Sequence, residues 1–316
     1  MRIGLDIMGG DFAPDHTLDG AIAALPHIGD DVLVLLGDEN VIRAGLQKRG
    51  VAPERFEIVH TPSQITMEEK AIRALQAKPD SSIAVGFKML AGKQLDAFSS
   101  AGNSGAMVAG AASIVRTIDR VIRPCTATTI PQEEGPDSVV LDIGTTPDAK
   151  PDVMLQFGML GSIYAQTVLG IAQPRVCLLN VGTEDGKGNP QCQAAFKLMK
   201  DTPYFHFVGN MEPRDLFKNK ADVFVTDGFV GNILIKQIET FYRLFQKRHF
   251  SDPLIDRLNY ELYGGSPILG VNAPVVLGHG ISSPTAIKNM VLQSKSMFEN
   301  KTTEKINFMF EQYVSH

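Results

Sequence analysis

Short apolar runs alternating with helix-spaced segments predict an α/β protein, a mostly parallel sheet flanked by helices. Three observations carry this. The runs have strand length, longer segments with helical spacing lie between most of them, and several runs look buried on both faces. Polar, glycine-containing turns follow most of the runs, as expected of strand-to-helix connections.

Ile3–Ile7 is the first run and precedes helical spacing over Thr17–Leu25. Val32–Leu36 leads to Val41–Arg49, and Phe56–Val59 leads to a helix over Glu68–Leu75. Thr66-Met67-Glu68-Glu69 has the form of a capping box at the start of that helix, hydroxyl and carboxylate three apart. Ala97–Ser99 precedes a helix over Ala106–Val115. Val139–Ile143 precedes one over Val153–Leu169, with Pro151 where a first helical residue belongs. Val176–Leu179 pairs with Gln191–Met199, Val223–Val225 with Ile233–Phe245, and Val275–Leu277 is the last run. Val230, Ile233, Leu234, Ile238, Phe241, Tyr242 and Phe245 form one helical stripe, which predicts core or dimer packing. Lys236, Arg243, Lys247 and Arg248 add basic charge that also suits an anionic membrane surface. The organisation expected is one catalytic domain over 1–316, or two lobes sharing a sheet, with a helical projection at 230–263.

Six turns follow strands: Asp6–Asp11, Ser100–Gly105, Asp142–Thr146, Asn180–Asp185, Thr226–Asn232 and Gly278–Ser283. In an open parallel sheet such turns share one edge, where ligands bind. Glycine lets backbone N–H groups approach closely, and helix N-termini favour anions. Together these turns predict a polar cleft for a small oxyanion, although each alone has the ordinary composition of a turn.

The composition narrows the function further. Hydrophobic residues make up 44% and charged residues 21% of the 316, enough for a substantial core. A net charge of -5 argues against nucleic acid as a partner. Cys125, Cys177 and Cys192 form no C-x-x-C pair and are expected to be reduced, buried thiols of a cytoplasmic protein. The N-terminus enters a strand at once, with no signal peptide expected, and no apolar stretch is long enough to span a membrane. Gly86 to Lys93 misses the P-loop spacing and has Gln94 in place of the hydroxyl residue. Gly264-Gly265-Ser266-Pro267-Ile268 lacks the final glycine of a nucleophile elbow. Neither H-E-x-x-H nor a G-x-G-x-x-G after the first strand is present. No cofactor and no metal are expected.

The turns Asp6–Asp11, Ser100–Ala106, Leu141–Gly144, Asp148–Pro151, Asn180–Asp185, Lys187–Asn189, Thr226–Phe229 with Gly231-Asn232, and Tyr263–Gly265 together resemble the bacterial acyl-ACP:phosphate acyltransferase family, in order over almost the whole chain. The resemblance implies a fold similar to the isocitrate/isopropylmalate dehydrogenase and phosphotransacetylase group, and a homodimer. It implies acyl carrier protein (ACP) and inorganic phosphate as substrates. The product, acyl phosphate, would pass to a membrane glycerol-3-phosphate acyltransferase in phospholipid synthesis, with the enzyme cytoplasmic or peripheral to the membrane. Some positions depart from the family pattern: Ile7, Thr145-Thr146, Gly186, and a short segment between Phe250 and Tyr263.

Phosphate is already anionic and a thioester is already activated, so the chemistry asks chiefly for placement and electrostatic stabilisation. The resemblance points to Lys187 and Asn232 as the catalytic pair. His279, in Gly-His-Gly, either protonates the leaving thiol, binds phosphate, or is a structural histidine. Gly9, Gly10, Asp11, Asn103, Ser104, Gly105, Thr183 and Asp227 are the remaining phosphate- or substrate-binding candidates. Lys187 between glycines also reads as a solvated loop tip, and Asn232 as a helix cap. Asp6, Asp11, Asp142 and Asp227 read as turn makers that orient neighbouring amides rather than as metal ligands. The competing functions are a CoA-dependent phosphate acetyl- or butyryltransferase, a metal-dependent hydroxy-acid dehydrogenase, and a non-catalytic, membrane-recruited ACP scaffold.

Overall fold

A computed structural model describes residues 1–313. In chain order the elements are β1 (Arg2–Asp6), α1 (Asp15–Ala24), β2 (Val32–Gly37), α2 (Glu39–Lys48), β3 (Glu57–His60), α3 (Ala71–Ala77), α4 (Ser82–Ala91), β4 (Ala97–Ser100) and α5 (Ser104–Gly110). A π-helical stretch (Ala111–Arg116) continues α5. There follow β5 (Cys125–Ile130), β6 (Ser138–Leu141), α6 (Pro151–Thr167), β7 (Arg175–Leu179), α7 (Pro190–Lys200), β8 (His206–Met211), β9 (Val223–Val225) and α8 (Gly228–Lys247). The chain ends with α9 (Pro253–Asp256), β10 (Ser266–Leu269), β11 (Val275–Leu277), α10 (Pro284–Glu299) and α11 (Thr302–Glu311).

The chain divides into two compact units, Met1–Thr117 with Tyr260–Glu299, and Ile118–Asn259 with the chain from Asn300 onward. In the first unit the strand order is β3-β2-β1-β4-β11-β10. Its first five strands are parallel, and β10 runs antiparallel to β11. The register sets Leu5 opposite both Leu35 and Ser99. Phe87 of α4 meets Phe98 of β4 edge-on at 5.1 Å, inside a core that also holds Val34, Leu36, Met107 and Val275.

In the second unit the order is β5-β6-β9-β7-β8, with β6, β9, β7 and β8 parallel and β5 antiparallel to β6. Most of α6 is buried, so apolar residues cover its whole circumference rather than one stripe. Pro151 opens α6 as expected.

Several expectations need correction. Helix α3 starts at Ala71, not Glu68, because Thr66–Glu69 closes only half a capping box: Thr66 N–H donates to Glu69 Oε2 at 2.8 Å in a turn. Helix α8 starts at Gly228, five residues before the expected Ile233. Its expected stripe divides: Leu234 and Ile238 pack against the core, Tyr242 and Phe245 are half-buried, and Val230, Ile233 and Phe241 are exposed; Ile235 joins the packed face and Leu244 the exposed one. Cys125 and Cys177 are buried, but Cys192 is only half-buried. Among the described residues no helix is long and apolar enough to cross a membrane.

Candidate active site

In each unit three neighbouring parallel strands place three of the six turns at their C-terminal ends. In the first unit these follow β1, β4 and β11, and they touch one another. Asp6, at the end of β1, is buried and accepts from Ser100 Oγ at 2.7 Å and from Met8 N–H at 3.0 Å. Burial pushes its carboxyl above the ordinary range, while these donors pull it back. Ser100 Oγ in turn accepts from Gly102 N–H at 2.9 Å. Gly9 must be glycine here, since a Cβ would lie 2.4 Å from Asp6 Oδ2 and 2.7 Å from Gly102 N. Asp11 N–H donates to the Gly280 carbonyl at 2.7 Å, which ties the first turn to the last.

Asn103 is buried and fully used within the protein. Its Oδ1 caps α5 through Ala106 N–H, and its Nδ2 faces the carbonyls of Thr66, Met67 and Glu69 at 2.9–3.3 Å. The adjacent Ser104 and Gly105 are exposed, as is Asp11. His279 is partly buried, its ring 4.5 Å from that of Tyr260.

In the second unit the turns follow β6, β9 and β7. Asp142 is buried, and its Oδ1 accepts from Thr126 N–H, Thr126 Oγ1, Gly144 N–H and Thr145 N–H at 3.0–3.3 Å. Its Oδ2 accepts from Thr146 N–H at 2.5 Å. Burial raises this carboxyl too, against the same set of donors. The turn abuts the start of α8: Gly228 N–H donates to the Thr146 carbonyl at 2.9 Å. A Cβ at Gly231 would lie only 1.9 Å from the Asp142 carbonyl oxygen.

The cap of α8 is Asp227, whose Oδ1 accepts from Val230 N–H at 2.8 Å. Asn232 is therefore not the cap; it is exposed, one turn into the helix, with its carboxamide beside Gly144. Lys187 and Thr183 are exposed in the β7–α7 loop. The Lys187 ammonium is 3.6 Å from Glu184 Oε1, and its stem lies against Gly182.

The structure thus groups Gly9, Gly10, Asp11, Asn103, Ser104, Gly105 and His279 in the first unit, and Thr183, Lys187, Asp227 and Asn232 in the second. Asp6, Asp142 and Asp227 do orient amides, as turn makers should. The sequence reading missed Thr126, which supports Asp142 through its N–H and Oγ1 and carries no local signal.

A family described as "Fatty acid synthesis protein" matches residues 1–249. A phosphate acyltransferase of Oceanobacillus iheyensis is 39% identical, over 98% of this chain and 98% of that protein. One of Brevibacillus brevis is 38% identical, over 97% of this chain and 96% of that protein. The chain belongs to the phosphate acyltransferase family. Its fold is also that of a phosphotransacetylase from Streptococcus pyogenes, with a TM-score of 0.66 at 18% identity over 94% of each chain. As a member of the phosphate acyltransferase family the protein is an acyltransferase. Cys125 and Cys177 are poor candidates for carrying the acyl group, because burial pushes both thiols well above their ordinary range.

Proposed function

We propose that this protein moves a long-chain acyl group from ACP onto inorganic phosphate, releasing acyl phosphate for phospholipid synthesis. The observation that carries the reading is the match to phosphate acyltransferases along nearly the whole chain. A phosphate oxygen attacks the thioester carbonyl, the tetrahedral adduct collapses, and the C–S bond breaks to release the ACP thiol. No acyl-enzyme is needed. Lys187 supplies the positive charge for phosphate, and Asn232 donates to phosphate or to the developing oxyanion. His279 protonates the departing thiolate. The amides of Gly10 and Gly105, with the hydroxyls of Ser104 and Thr183, are the further anion donors; Gly9 is buried with its N–H turned to Asp6. Asp11, Asn103 and Asp227 shape the turns that present them.

The partners follow from the same reading. The exposed apolar residues of α8 support a homodimer or contact with a membrane surface. Membrane contact would bring the product to a membrane glycerol-3-phosphate acyltransferase. The deciding experiment incubates the protein with long-chain acyl-ACP and phosphate, and traps acyl phosphate with hydroxylamine. Hydroxamate should form in excess chelator and without added nucleotide. Turnover of acetyl- or butyryl-CoA with no reaction of acyl-ACP would establish the CoA-dependent alternative. No turnover of either would leave the dehydrogenase and the scaffold.

A further inference from the structure

The side chain of Lys187 is exposed, but the backbone around it is held closely. The carbonyls of Glu184, Gly186, Lys187 and Gly188 each accept a hydrogen bond from a side-chain carboxamide. Asn210 Nδ2 donates to Glu184 O at 2.9 Å, and Asn180 Nδ2 to Lys187 O at 3.2 Å. Gln193 Nε2 donates to Gly186 O at 2.9 Å and to Gly188 O at 3.0 Å. Asn180 and Asn210 are buried and joined to each other, Nδ2 to Oδ1, at 3.1 Å. Gln193 reaches the loop from α7 and is exposed. The register explains how Asn210 comes to lie there. Val176 pairs with Phe207 but Leu178 pairs with Asn210, so β8 carries an extra residue at a bulge.

A loop with glycine at 182, 186 and 188 has much backbone freedom to lose on ordering. Carboxamides are suited to restraining it. They donate to carbonyls without adding charge, so they leave the field of the lysine undiminished. We propose that Asn180, Asn210 and Gln193 are positioning residues that hold the backbone of Lys187 where its ammonium meets phosphate. This rests on the reading of Lys187 as the phosphate-binding lysine.

The test is a double-mutant cycle read as kcat/KM for inorganic phosphate at saturating acyl-ACP. Gln193→Met keeps the side-chain length, removes the donors and changes an exposed residue, so the fold should be retained. Asn210→Ala is the second variant, with thermal unfolding as the control for its burial. Each should lower kcat/KM by up to about 10²-fold, the scale of an ångström-sized misplacement. In a Lys187→Ala background neither should cause further loss, because the group they position is gone. Additive losses in that background, or wild-type kinetics for both single variants, would overturn the proposal while leaving Lys187 in its role. Wild-type kinetics for Lys187→Ala alone would overturn both.

Discussion

Lys187 and Asn232 are exposed, so truncating either removes a functional group without opening a cavity. Lys187→Ala and Asn232→Ala should each fold normally and lose about 10²–10³ in rate, the scale of one oxyanion-stabilising contact. Near-normal turnover in both, measured with the hydroxylamine trap, would remove them from the site. Asp215 shows a different kind of residue effect. The Lys220 ammonium, 2.7 Å away, holds its carboxyl below the ordinary carboxylate range. Its folded pKa therefore lies below its unfolded one. The pair's contribution to stability is present above the unfolded pKa of about 3.9 and is lost as pH falls through the folded value. Lys220→Met should flatten the fall in urea-unfolding free energy on acidification below about pH 4. An unchanged slope would mean that the pair contributes nothing there.

The junction between the β6 turn and α8 is set by close backbone approach, and glycine is what permits it. Gly231→Ala would drive a Cβ into the Asp142 carbonyl, a rigid atom that cannot rotate away. It should destabilise by about 3 kcal/mol, the upper part of the range for overpacking, and should disturb Asn232, the next residue. Gly186 is the contrast: its backbone is not left-handed, and nothing lies near an added Cβ. Gly186→Ala should stabilise by about 0.4–1 kcal/mol through the unfolded chain. Urea titrations of the two variants should move in opposite directions. Helix α8 also shows how one element serves two faces. Its inner residues pack against the second unit's core, while Val230, Ile233, Phe241 and Leu244 remain exposed.

The whole protein carries a net charge of -5, so on the proposed function the acidic ACP would have to approach a local basic patch. The sequence offers two basic clusters, Arg214 with Lys218 and Lys220, and Arg243 with Lys247 and Arg248, and the structure tempers the first. Arg214 pairs with Glu212, and Lys218 and Lys220 both face Asp215. Arg243, Lys247 and Arg248, near the end of α8, make no ion pair among the described residues and lie close to exposed Phe241 and Phe250 in sequence. Reversing these three charges should weaken binding to anionic vesicles in a sedimentation assay while sparing turnover in solution. Reversing Arg214 and Lys218 should raise the apparent KM for acyl-ACP at low salt, and salt should weaken the wild type in the same way. Unchanged acyl-ACP kinetics in that variant would place docking elsewhere.

Strand and helix order, the opening of α6 at Pro151, and the polar turns at the strand ends were all determined by local sequence. Apolar runs and punctuating Gly, Asp and Asn act over a few residues, and they can be read there. The order of the turns was also enough to reveal the family. Local pattern was less informative where burial was complete or the strand irregular. Helix α4 is apolar on nearly every side, β5 is rich in threonine, and β8 is broken by its bulge at Gly209. Helix α10 was not among the expected segments, although Ala286, Ile287, Met290, Val291, Ser294 and Met297 have helical spacing. Tertiary structure alone decided what supports the site. Asn210 meets Asn180 across 30 residues of chain, and Thr126 reaches Asp142 from the neighbouring antiparallel strand. Which face of α8 finds a core was decided in the same way. Such contacts depend on strand order, register and a bulge, which arise only when distant segments pack, and no short window of sequence records them.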